Sequence, residues 1–238
     1  MPADADIRAN LAAVRARVDA ACAAAGRAPD EVEVLLATKT QPAGRIAVAV
    51  AAGARLIGEN RVQELAAKDA ELTATAAPAS FERHFIGHLQ SNKVNQVLRY
   101  VACVQSVDSV ELAERLQRRL EVLDRTLEVL VQVNTSGEAS KSGVAPDEAV
   151  AVVKEVAALD RLRVRGLMTV GLQSPDEAAV RASYRGLRVL RDRAADVIGA
   201  GLPVLSMGMS GDLEAAVAEG ATLVRIGSAV FGARPRPA

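Results

Sequence analysis

The chain has 238 residues, with 29 basic and 29 acidic side chains, and 50% of its residues are apolar. The zero net charge argues against a nucleic-acid partner or an anionic membrane surface, since both require a concentrated basic face. No apolar run approaches the ~20 residues of a membrane span, the polar start is unlike a secretory signal, and two cysteines make no disulfide framework, so a cytoplasmic protein is predicted.

In chain order, the first predicted element is an amphipathic helix over the first ~25 residues, with Ile7, Leu11, Val14 and Val18 on one face. After it, short β-branched runs alternate with helical stretches. The predicted strands are 33–38, 55–58, 84–88, 102–106, 128–134, 165–170, 204–207 and 222–226. The predicted helices begin near Pro42, Asn60, Asn92, Ser109, Pro146, Pro175 and Asp212.

Several of these helix starts carry their own sequence signals. Proline stands in the first turn after Gln41 and after Ser174, and Ser109 is followed by the acidic Glu111. The segment 73–80, in contrast, is interpreted as a flexible connection.

The alternation of strands and helices indicates a parallel sheet. Eight strand–helix units after one leading helix favour a closed (β/α)8 TIM barrel, with residues 1–238 as a single domain. A doubly wound open sheet is the alternative. Because such a sheet normally carries Gly-x-Gly-x-x-Gly after its first strand, and segment 37–41 contains no glycine, the α/β barrel is the predicted fold.

In a barrel of this kind the functional site lies at the carboxyl ends of the strands. Most of the predicted strands end in polar side chains or glycines. The residues at these ends are Lys39, Asn60, His88, Ser106, Asp108, Asn134, Met168, Thr169, the run 206–210, Gly227 and Ser228.

Two segments rich in glycine and serine, 205–212 and 224–228, follow the last two strands. Small residues let the backbone approach a ligand, and both segments lead into helix N-termini, whose free N–H groups attract an anion. With the hydroxyls of Ser210 and Ser228 as further donors, these segments predict a phosphate site. In the alternative interpretation, Gly208 and Gly211 only form tight turns and Ser210 only caps a helix.

Lysine is rare in this chain, with five lysines among the 29 basic side chains. Lys39 follows the apolar run 34–37, where partial loss of hydration favours a neutral amine. A neutral amine that faces an enclosed site is suited to Schiff-base formation, and the alternative is a solvated lysine at a strand end. The other four lysines are interpreted as surface charges, and they are Lys68, Lys93, Lys141 and Lys154.

A lysine and a phosphate site in one barrel mouth suggest a phosphorylated carbonyl compound as ligand. Pyridoxal 5′-phosphate is the first candidate, and a sugar phosphate in a Schiff-base aldolase is the second. No metal is predicted, because His84 and His88 would lie ~13 Å apart on one strand and no zinc spacing occurs. His84 is interpreted as structural and His88 as a candidate for the site, while Cys22 and Cys103 are expected to fill core space.

Seven short segments occur in an order that is typical of one known family. They are 35–40 (LLATKT), 58–64 (GENRVQE), 84–93 (HFIGHLQSNK), 133–134 (VN) with 141–143 (KSG), 166–168 (GLM), 205–210 (LSMGMS) and 225–232 (RIGSAVFG). Each segment is weak by itself, but seven in the right order are highly specific. Through them the chain resembles the pyridoxal phosphate homeostasis proteins along nearly its whole length.

The resemblance implies a barrel similar to the N-terminal domain of alanine racemase, with Lys39 as the lysine that forms the aldimine with pyridoxal 5′-phosphate. It also implies roles for eight further residues in cofactor binding. Ser210, Gly227 and Ser228 would hold the phosphate, Arg225 would face the pyridine nitrogen, and Asn60, Met168, Ser206 and His88 would lie near the ring. Two departures from the family pattern are Thr38, where serine is usual, and Arg61, where tyrosine is common.

The choice between enzyme and carrier depends on what surrounds the cofactor. The related racemases carry a second, all-β domain that supplies a tyrosine base, whereas this chain ends at Ala238, and Tyr100 and Tyr184 have no evident acid or base role. An arginine at the ring nitrogen leaves the cofactor a weak electron sink. These features favour a cofactor homeostasis protein without catalysis, and a small amino-acid racemase or lyase is the alternative.

The expected partners are the cofactor and, transiently, the apoenzymes that depend on it. No exposed apolar stripe is evident in the sequence, which favours a monomer.

Overall fold

The structure, a computed structural model, describes residues 4–75, 81–138 and 141–232. Its strands are β1 (Glu33–Ala37), β2 (Leu56–Glu59), β3 (Glu82–Phe85), β4 (Cys103–Val107), β5 (Leu127–Gln132), β6 (Leu162–Met168), β7 (Val204–Ser206) and β8 (Leu223–Ile226). Each strand pairs in parallel with the next along the chain, and β8 pairs with β1. The sheet is therefore a closed barrel, which confirms the predicted fold and excludes the open sheet.

The helices surround this barrel. They are α1 (Asp4–Ala24), α2 (Ala43–Ala51), α3 (Val62–Thr75), α4 (Val94–Val97), α5 (Val110–Leu123), α6 (Ala149–Ala157), α7 (Glu177–Ile198), α8 (Leu213–Ala218) and α9 (Ser228–Phe231), with short 3-10 turns at Pro29–Glu31 and Ser91–Lys93. The leading helix α1 buries its predicted face, since Ile7, Leu11, Val14 and Val18 are at most 2% exposed. The short helix α9 after β8 is the helix into which the segment 224–228 was predicted to lead.

The apolar core has two parts, one between the strands and the helices and one inside the barrel. The larger part includes the α1 face together with Cys22 and outward-facing strand residues such as Leu36 and Phe85. Inside the barrel, Cys103 packs against Leu130 and Met168. Both cysteines are buried and free, as predicted.

Strand β3 ends three residues before the predicted end at His88. The N–H of Ile86 still donates to the carbonyl oxygen of Glu59, and Gly87 then passes so close to the residue after β2 that a Cβ would be 2.2 Å from the carbonyl oxygen of Asn60. Because β3 ends at Phe85, His84 and His88 do not lie on one strand.

Two predicted helix starts and one predicted loop also need correction. Pro42 is the N-cap of α2 and not a residue of its first turn, and Pro175 precedes Asp176, whose carboxylate caps α7 by accepting from the N–H groups of Ala178 and Ala179. The expected connection 73–80 begins inside α3, and its residues 76–80 lie outside the described ranges. The N-cap at Ser109, by contrast, is confirmed by its bond from the N–H of Leu112.

In the described ranges, no helix is both long enough and apolar enough to cross a membrane.

Candidate functional site

A cavity of about 440 Å³ opens at the carboxyl ends of β1, β7 and β8. Five of the nine predicted site residues line it, and they are Lys39, Ser210, Arg225, Gly227 and Ser228. The remaining lining residues are Ala37, Gln41, Leu172, Gln173, Ser174, Val180, Met209, Gly211, Asp212 and Gly232. The predicted amine, the predicted phosphate segments and the predicted guanidinium therefore face one space.

Lys39 enters the cavity because of the alternation of side chains along β1. Ala37 and Lys39 both line the cavity, while Thr38 between them is buried and donates its hydroxyl proton to Glu59 Oε1 at 2.6 Å. Thr38 thus faces the outer side of the barrel wall, and successive side chains of an extended segment point to opposite sides.

Lys68 and Lys141 are not the surface charges that the sequence analysis expected. Lys68 Nζ donates to Glu59 Oε1 at 2.6 Å and to Glu64 Oε2 at 2.8 Å, and its side chain is 12% exposed. Lys141 Nζ bonds Glu138 and the carbonyl of Gly171. The amines of both lysines are therefore bonded to carboxylates and carbonyl oxygens of the protein.

The two carboxylates that bind Lys68 differ in the net direction of their pKa shift. Burial raises the pKa of Glu59, and the hydrogen bonds from Lys68 and Thr38 only partly oppose it. At Glu64, burial also raises the pKa, but the hydrogen bonds from Lys68 and from the Thr40 N–H outweigh it, so the net shift is downward. The lowered pKa of Glu64 favours its charged form, which pairs with Lys68.

The two predicted phosphate segments contact each other through Ser210. Its Oγ accepts a hydrogen bond of 3.3 Å from the N–H of Ala229 in α9. Gly227 lies against β1, since a Cβ there would be 3.3 Å from the Ala37 carbonyl oxygen. Gly208 has φ of 92°, and a Cβ there would lie 2.5 Å from the Cβ of Ala216. Gly211 lies in a turn, and a Cβ there would meet open space.

Arg225 carries the strongest local charge at the floor of the cavity. Its Nη1 donates to the carbonyl oxygen of Ser206 at 2.7 Å and to Ser206 Oγ at 2.8 Å, and its Nη2 donates to the carbonyl oxygen of Thr169 at 2.6 Å. Burial lowers the pKa of Arg225 to about 10. The guanidinium therefore stays charged at neutral pH.

A chain of buried polar side chains continues from Arg225 across the barrel interior. Ser206 Oγ donates to Gln105 Oε1 at 2.7 Å, and Gln105 Nε2 lies 2.8 Å from His84 Nδ1. A guanidinium can only donate hydrogen bonds, so the Ser206 hydroxyl accepts from Arg225 and donates its own hydrogen bond to Gln105. The amide nitrogen of Gln105 in turn donates to His84. His84 Nδ1 is thus the acceptor, and Nε2 carries the proton and faces Glu82 at 3.7 Å.

Four predicted site residues are absent from the cavity lining. Ser206 lies behind Arg225, and Met168 is buried inside the barrel. His88, whose side chain is 57% exposed, pairs instead with Asp108 at 3.1 Å because β3 ends early. Asn60 follows β2 and packs its backbone against Gly87.

Sequence reasoning missed Gln41, Val180, Gly232 and the segment 172–174, which all line the cavity. The segment 172–174 follows β6, which ends at Met168, two residues before the predicted end, so it lay beyond the segment considered. Asp212 belongs to the predicted segment 205–212, but no role was predicted for its carboxylate, which accepts from the Met209 N–H and from the hydroxyl of Tyr184 at 2.8 Å. Burial and the neighbouring Asp212 raise the pKa of Tyr184.

Among the described residues, no group of three or more histidine, cysteine, aspartate or glutamate side chains is arranged to hold a metal ion.

Comparisons with known proteins identify the family of this chain. A family model described as "Alanine racemase, N-terminal domain" matches residues 9–235. A protein of Pseudomonas aeruginosa named pyridoxal phosphate homeostasis protein is 46% identical over 229 residues, which cover 96% of each chain. A protein of the same name from Escherichia coli is 41% identical over 234 residues, covering 96% of this chain and 97% of that one.

Solved structures show the same architecture. PipY of Synechococcus elongatus, whose structure was determined with PLP bound, is similar with a TM-score of 0.82 and 35% identity over 95% of this chain and 100% of PipY. An alanine racemase of Clostridium difficile is similar with a TM-score of 0.74 over 97% of this chain and 57% of the racemase. At 14% identity the racemase is evidence for the fold alone.

Proposed function

Because the chain belongs to the alanine racemase N-terminal domain family, and to the pyridoxal phosphate homeostasis proteins among its members, we propose that it binds pyridoxal 5′-phosphate and acts in homeostasis of this cofactor. The observation that carries the proposal is the single cavity that Lys39, Arg225 and the segments after β7 and β8 share. PipY, at 35% identity, has been solved with the same cofactor bound.

The chemistry of the cavity fits the cofactor group by group. When bound, pyridoxal 5′-phosphate supplies an aldehyde, which reacts with primary amines. Lys39 provides the amine on one wall, and the hydroxyls of Ser210 and Ser228 with the backbone at Gly227 provide hydrogen-bond partners for the phosphate. Arg225, held from behind by Ser206, places a fixed positive charge toward the pyridine nitrogen.

The remaining predicted residues have a more distant place in this proposal. Ser206 contributes by orienting Arg225. For Asn60, Met168 and His88, a contact with the cofactor ring stays a prediction of the family resemblance.

The ionisable groups around the cavity favour a carrier over an enzyme. Among the described lining residues, these groups are Lys39, Asp212 and Arg225. The Asp212 carboxylate is already bonded to Met209 and Tyr184, and racemisation needs a positioned acid or base on each face of the substrate. The charge of Arg225 also disfavours protonation of the ring nitrogen, which keeps the cofactor a weak electron sink.

The proposal extends to how the protein works. One barrel domain, residues 1–238, would hold the cofactor in the cytoplasm and transfer it during transient contacts with apoenzymes. The large exposed apolar side chains in the described ranges are Val122, Leu123, Val189 and Val197, spread over α5 and α7. This distribution supports a monomer.

The first test is the visible absorbance of the purified protein before and after borohydride, with the adduct located by peptide mapping. We expect a yellow band that borohydride removes and a stable adduct on Lys39. Lys39→Ala should abolish the band and keep the melting temperature of the cofactor-free protein, while Lys154→Ala, on the exposed face of α6, should behave as wild type. A protein that stays colourless with added pyridoxal 5′-phosphate would contradict the proposal.

A second measurement separates carrier from enzyme. The loaded protein is incubated with single amino acids while their chirality is followed, and in parallel with a cofactor-free, cofactor-dependent apoenzyme. We expect activation of the apoenzyme without change of chirality. Turnover of any amino acid at enzymatic rates would favour the racemase or lyase alternative.

A further inference from the structure

Behind Lys39, on the outer side of the barrel wall, helix α3 binds the backbone on both sides of this lysine. Lys68 Nζ donates to the carbonyl oxygen of Thr38 at 3.0 Å, and Glu64 Oε2 accepts from the N–H of Thr40 at 2.6 Å. Lys68 also pairs with Glu64 at 2.8 Å. One ion pair on a single helix face therefore anchors the peptide groups before and after Lys39.

The residue that Glu64 holds has an unfavourable backbone conformation. Thr40 has φ of 64°, in the left-handed region, and in the described ranges the only other non-glycine residue with positive φ is Asp124. A β-branched residue rarely adopts this conformation, because its Cβ crowds the backbone. Such a conformation persists only where the surrounding structure holds it in place, and positions of this kind cluster at ligand sites.

The hydrogen bond from the Thr40 N–H to Glu64 is suited to holding Thr40 in this backbone conformation. The hydrogen bonds from Lys68 and Thr40 outweigh the effect of burial and lower the pKa of Glu64, which keeps it ionised. A hydrogen bond to a charged acceptor is roughly twice as strong as one between neutral groups. The hydroxyl of Thr40 does not bind Glu64 and instead donates to the carbonyl oxygen of Lys39 at 2.6 Å.

We propose that Glu64 is a positioning residue for Lys39: its carboxylate, oriented by Lys68, fixes Thr40 in the left-handed conformation that turns the chain after β1 and directs the Lys39 amine into the cavity. This inference rests on the proposed function, because it concerns the reaction of that amine with a phosphorylated aldehyde. Glu64 lies outside the cavity lining and touches no part of the ligand space.

The test compares covalent and non-covalent ligands of the full-length protein after its cofactor has been removed. The rate at which pyridoxal 5′-phosphate attaches to Lys39 is measured from the growth of the visible band and from the borohydride-fixed adduct. Binding of pyridoxine 5′-phosphate, which has the phosphate and the ring without the aldehyde, is measured in parallel. We expect Glu64→Ala to slow attachment about tenfold, because misplaced reacting groups lose rate steeply, and to leave pyridoxine 5′-phosphate affinity within about twofold of wild type.

A double-mutant cycle tests the part played by Thr40. Glycine adopts the left-handed conformation without steric cost, so Glu64→Ala should slow attachment by less than about threefold in a Thr40→Gly background. Glu64→Gln keeps an acceptor for the Thr40 N–H and should lose less rate than Glu64→Ala. The matched control is Glu71→Ala, an exposed residue of the same helix, which should attach the cofactor at the wild-type rate.

The outcomes distinguish this inference from the proposed function. If wild type attaches the cofactor at Lys39 and both Glu64 variants attach it equally fast, the positioning role is wrong and the proposed function stands. If Glu64→Ala slows attachment equally with threonine and with glycine at position 40, the positioning role is also wrong. If wild type binds neither compound, the proposed function itself is wrong. Should Glu64→Ala fail to fold, the comparison of Glu64→Gln with Glu71→Ala decides the question.

Discussion

Arg225 makes hydrogen bonds only as a donor, and Ser206 is the residue through which it connects to the rest of the buried polar chain. The Ser206 hydroxyl accepts from Arg225 and donates to Gln105, so both neighbours depend on one oxygen atom. Because all three side chains are buried, water does not replace that oxygen without a rearrangement. Loss of the Ser206 hydroxyl therefore leaves Gln105 Oε1 without this donor, while the guanidinium keeps its bonds to the carbonyl oxygens of Ser206 and Thr169.

Ser206→Ala tests this dependence. We expect it to lower the free energy of unfolding by about 1–3 kcal/mol, the cost of leaving buried polar groups without a partner. Urea unfolding of the cofactor-free protein measures the change. Ser91→Ala, at an exposed serine, should change stability by less than about 0.5 kcal/mol, and an equal effect of both substitutions would contradict the account.

His84, at the other end of this row of buried polar side chains, makes the free energy of unfolding depend on pH. Burial lowers its pKa, and Glu82 only partly opposes this. The folded protein therefore keeps His84 neutral at a pH where the unfolded chain already binds a proton. The contribution of His84 is full above about pH 6.5, the value of an exposed histidine, and is lost as the pH falls below it.

His84→Asn, which keeps an acceptor for Gln105, should remove this dependence. Between pH 7.5 and 5.5, we expect wild type to lose about 1 kcal/mol more of its free energy of unfolding than the variant does. His88→Asn, at the exposed histidine, should lose as much as wild type. Equal losses in wild type and His84→Asn would show that His84 takes up a proton in the folded state.

The sequence predicted those cavity-lining residues that carry an amine or a hydroxyl just after a predicted strand. Lys39, Ser210 and Ser228 were found because an amine or a hydroxyl follows an apolar run, and they line the cavity. Gln105 was missed because its partner Ser206 is 101 residues away in the chain, and Lys68 was missed because its partner Glu59 lies on a different element, nine residues before it. No local pattern distinguishes an inward glutamine with a partner across the barrel from an outward one.

At the scale of elements, β6 and β7 approach each other closely at one glycine. Gly166 pairs with Val204, and a Cβ at this position would lie 1.8 Å from the Val204 carbonyl oxygen. Since that oxygen belongs to the backbone of a strand, it has little freedom to move away. The close approach draws together two strands, β6 and β7, whose following segments both line the cavity.

Gly166→Ala should therefore be strongly destabilising. We expect a loss of about 3 kcal/mol in the free energy of unfolding, the upper end of what overpacking costs. Gly186, within α7, offers the matched control, because a Cβ there meets no atom within 4 Å. Gly186→Ala should raise stability by roughly 0.5–1 kcal/mol through better helix propensity. Similar losses in both variants, measured by urea unfolding, would exclude close packing as the cause.

The order and type of the elements were predictable because β-branched runs and alanine-rich stretches have different periods. The ends of the strands and helices were less predictable. Strand β3 ends at Phe85, where its pairing with β2 also ends at Glu59, and the pairing of β5 with β6 shifts register between Val129 and Leu130. Such ends depend on neighbouring strands, which a single sequence does not reveal.

At the scale of the whole molecule, the count of eight strand–helix units predicted the barrel, and the absence of a nucleotide fingerprint favoured it over the open sheet. The closure itself consists of the pairing of β1 with β8 from Glu33 with Leu223 to Leu36 with Ile226. Nothing in either strand alone specifies that partner. The shared cavity follows from this closure, because it brings Lys39 beside Gly227 and Ser228.

The packing of α1 has a consequence for how the protein folds. Asn10 of α1 donates to the carbonyl oxygen of Val230 in α9, across 220 positions of the chain, and Arg17 donates to the carbonyl oxygen of Ser210. Contacts so distant in sequence form slowly. Because closure of the barrel also needs β8 to pair with β1, the candidate site is completed late in folding and not by any one strand–helix unit.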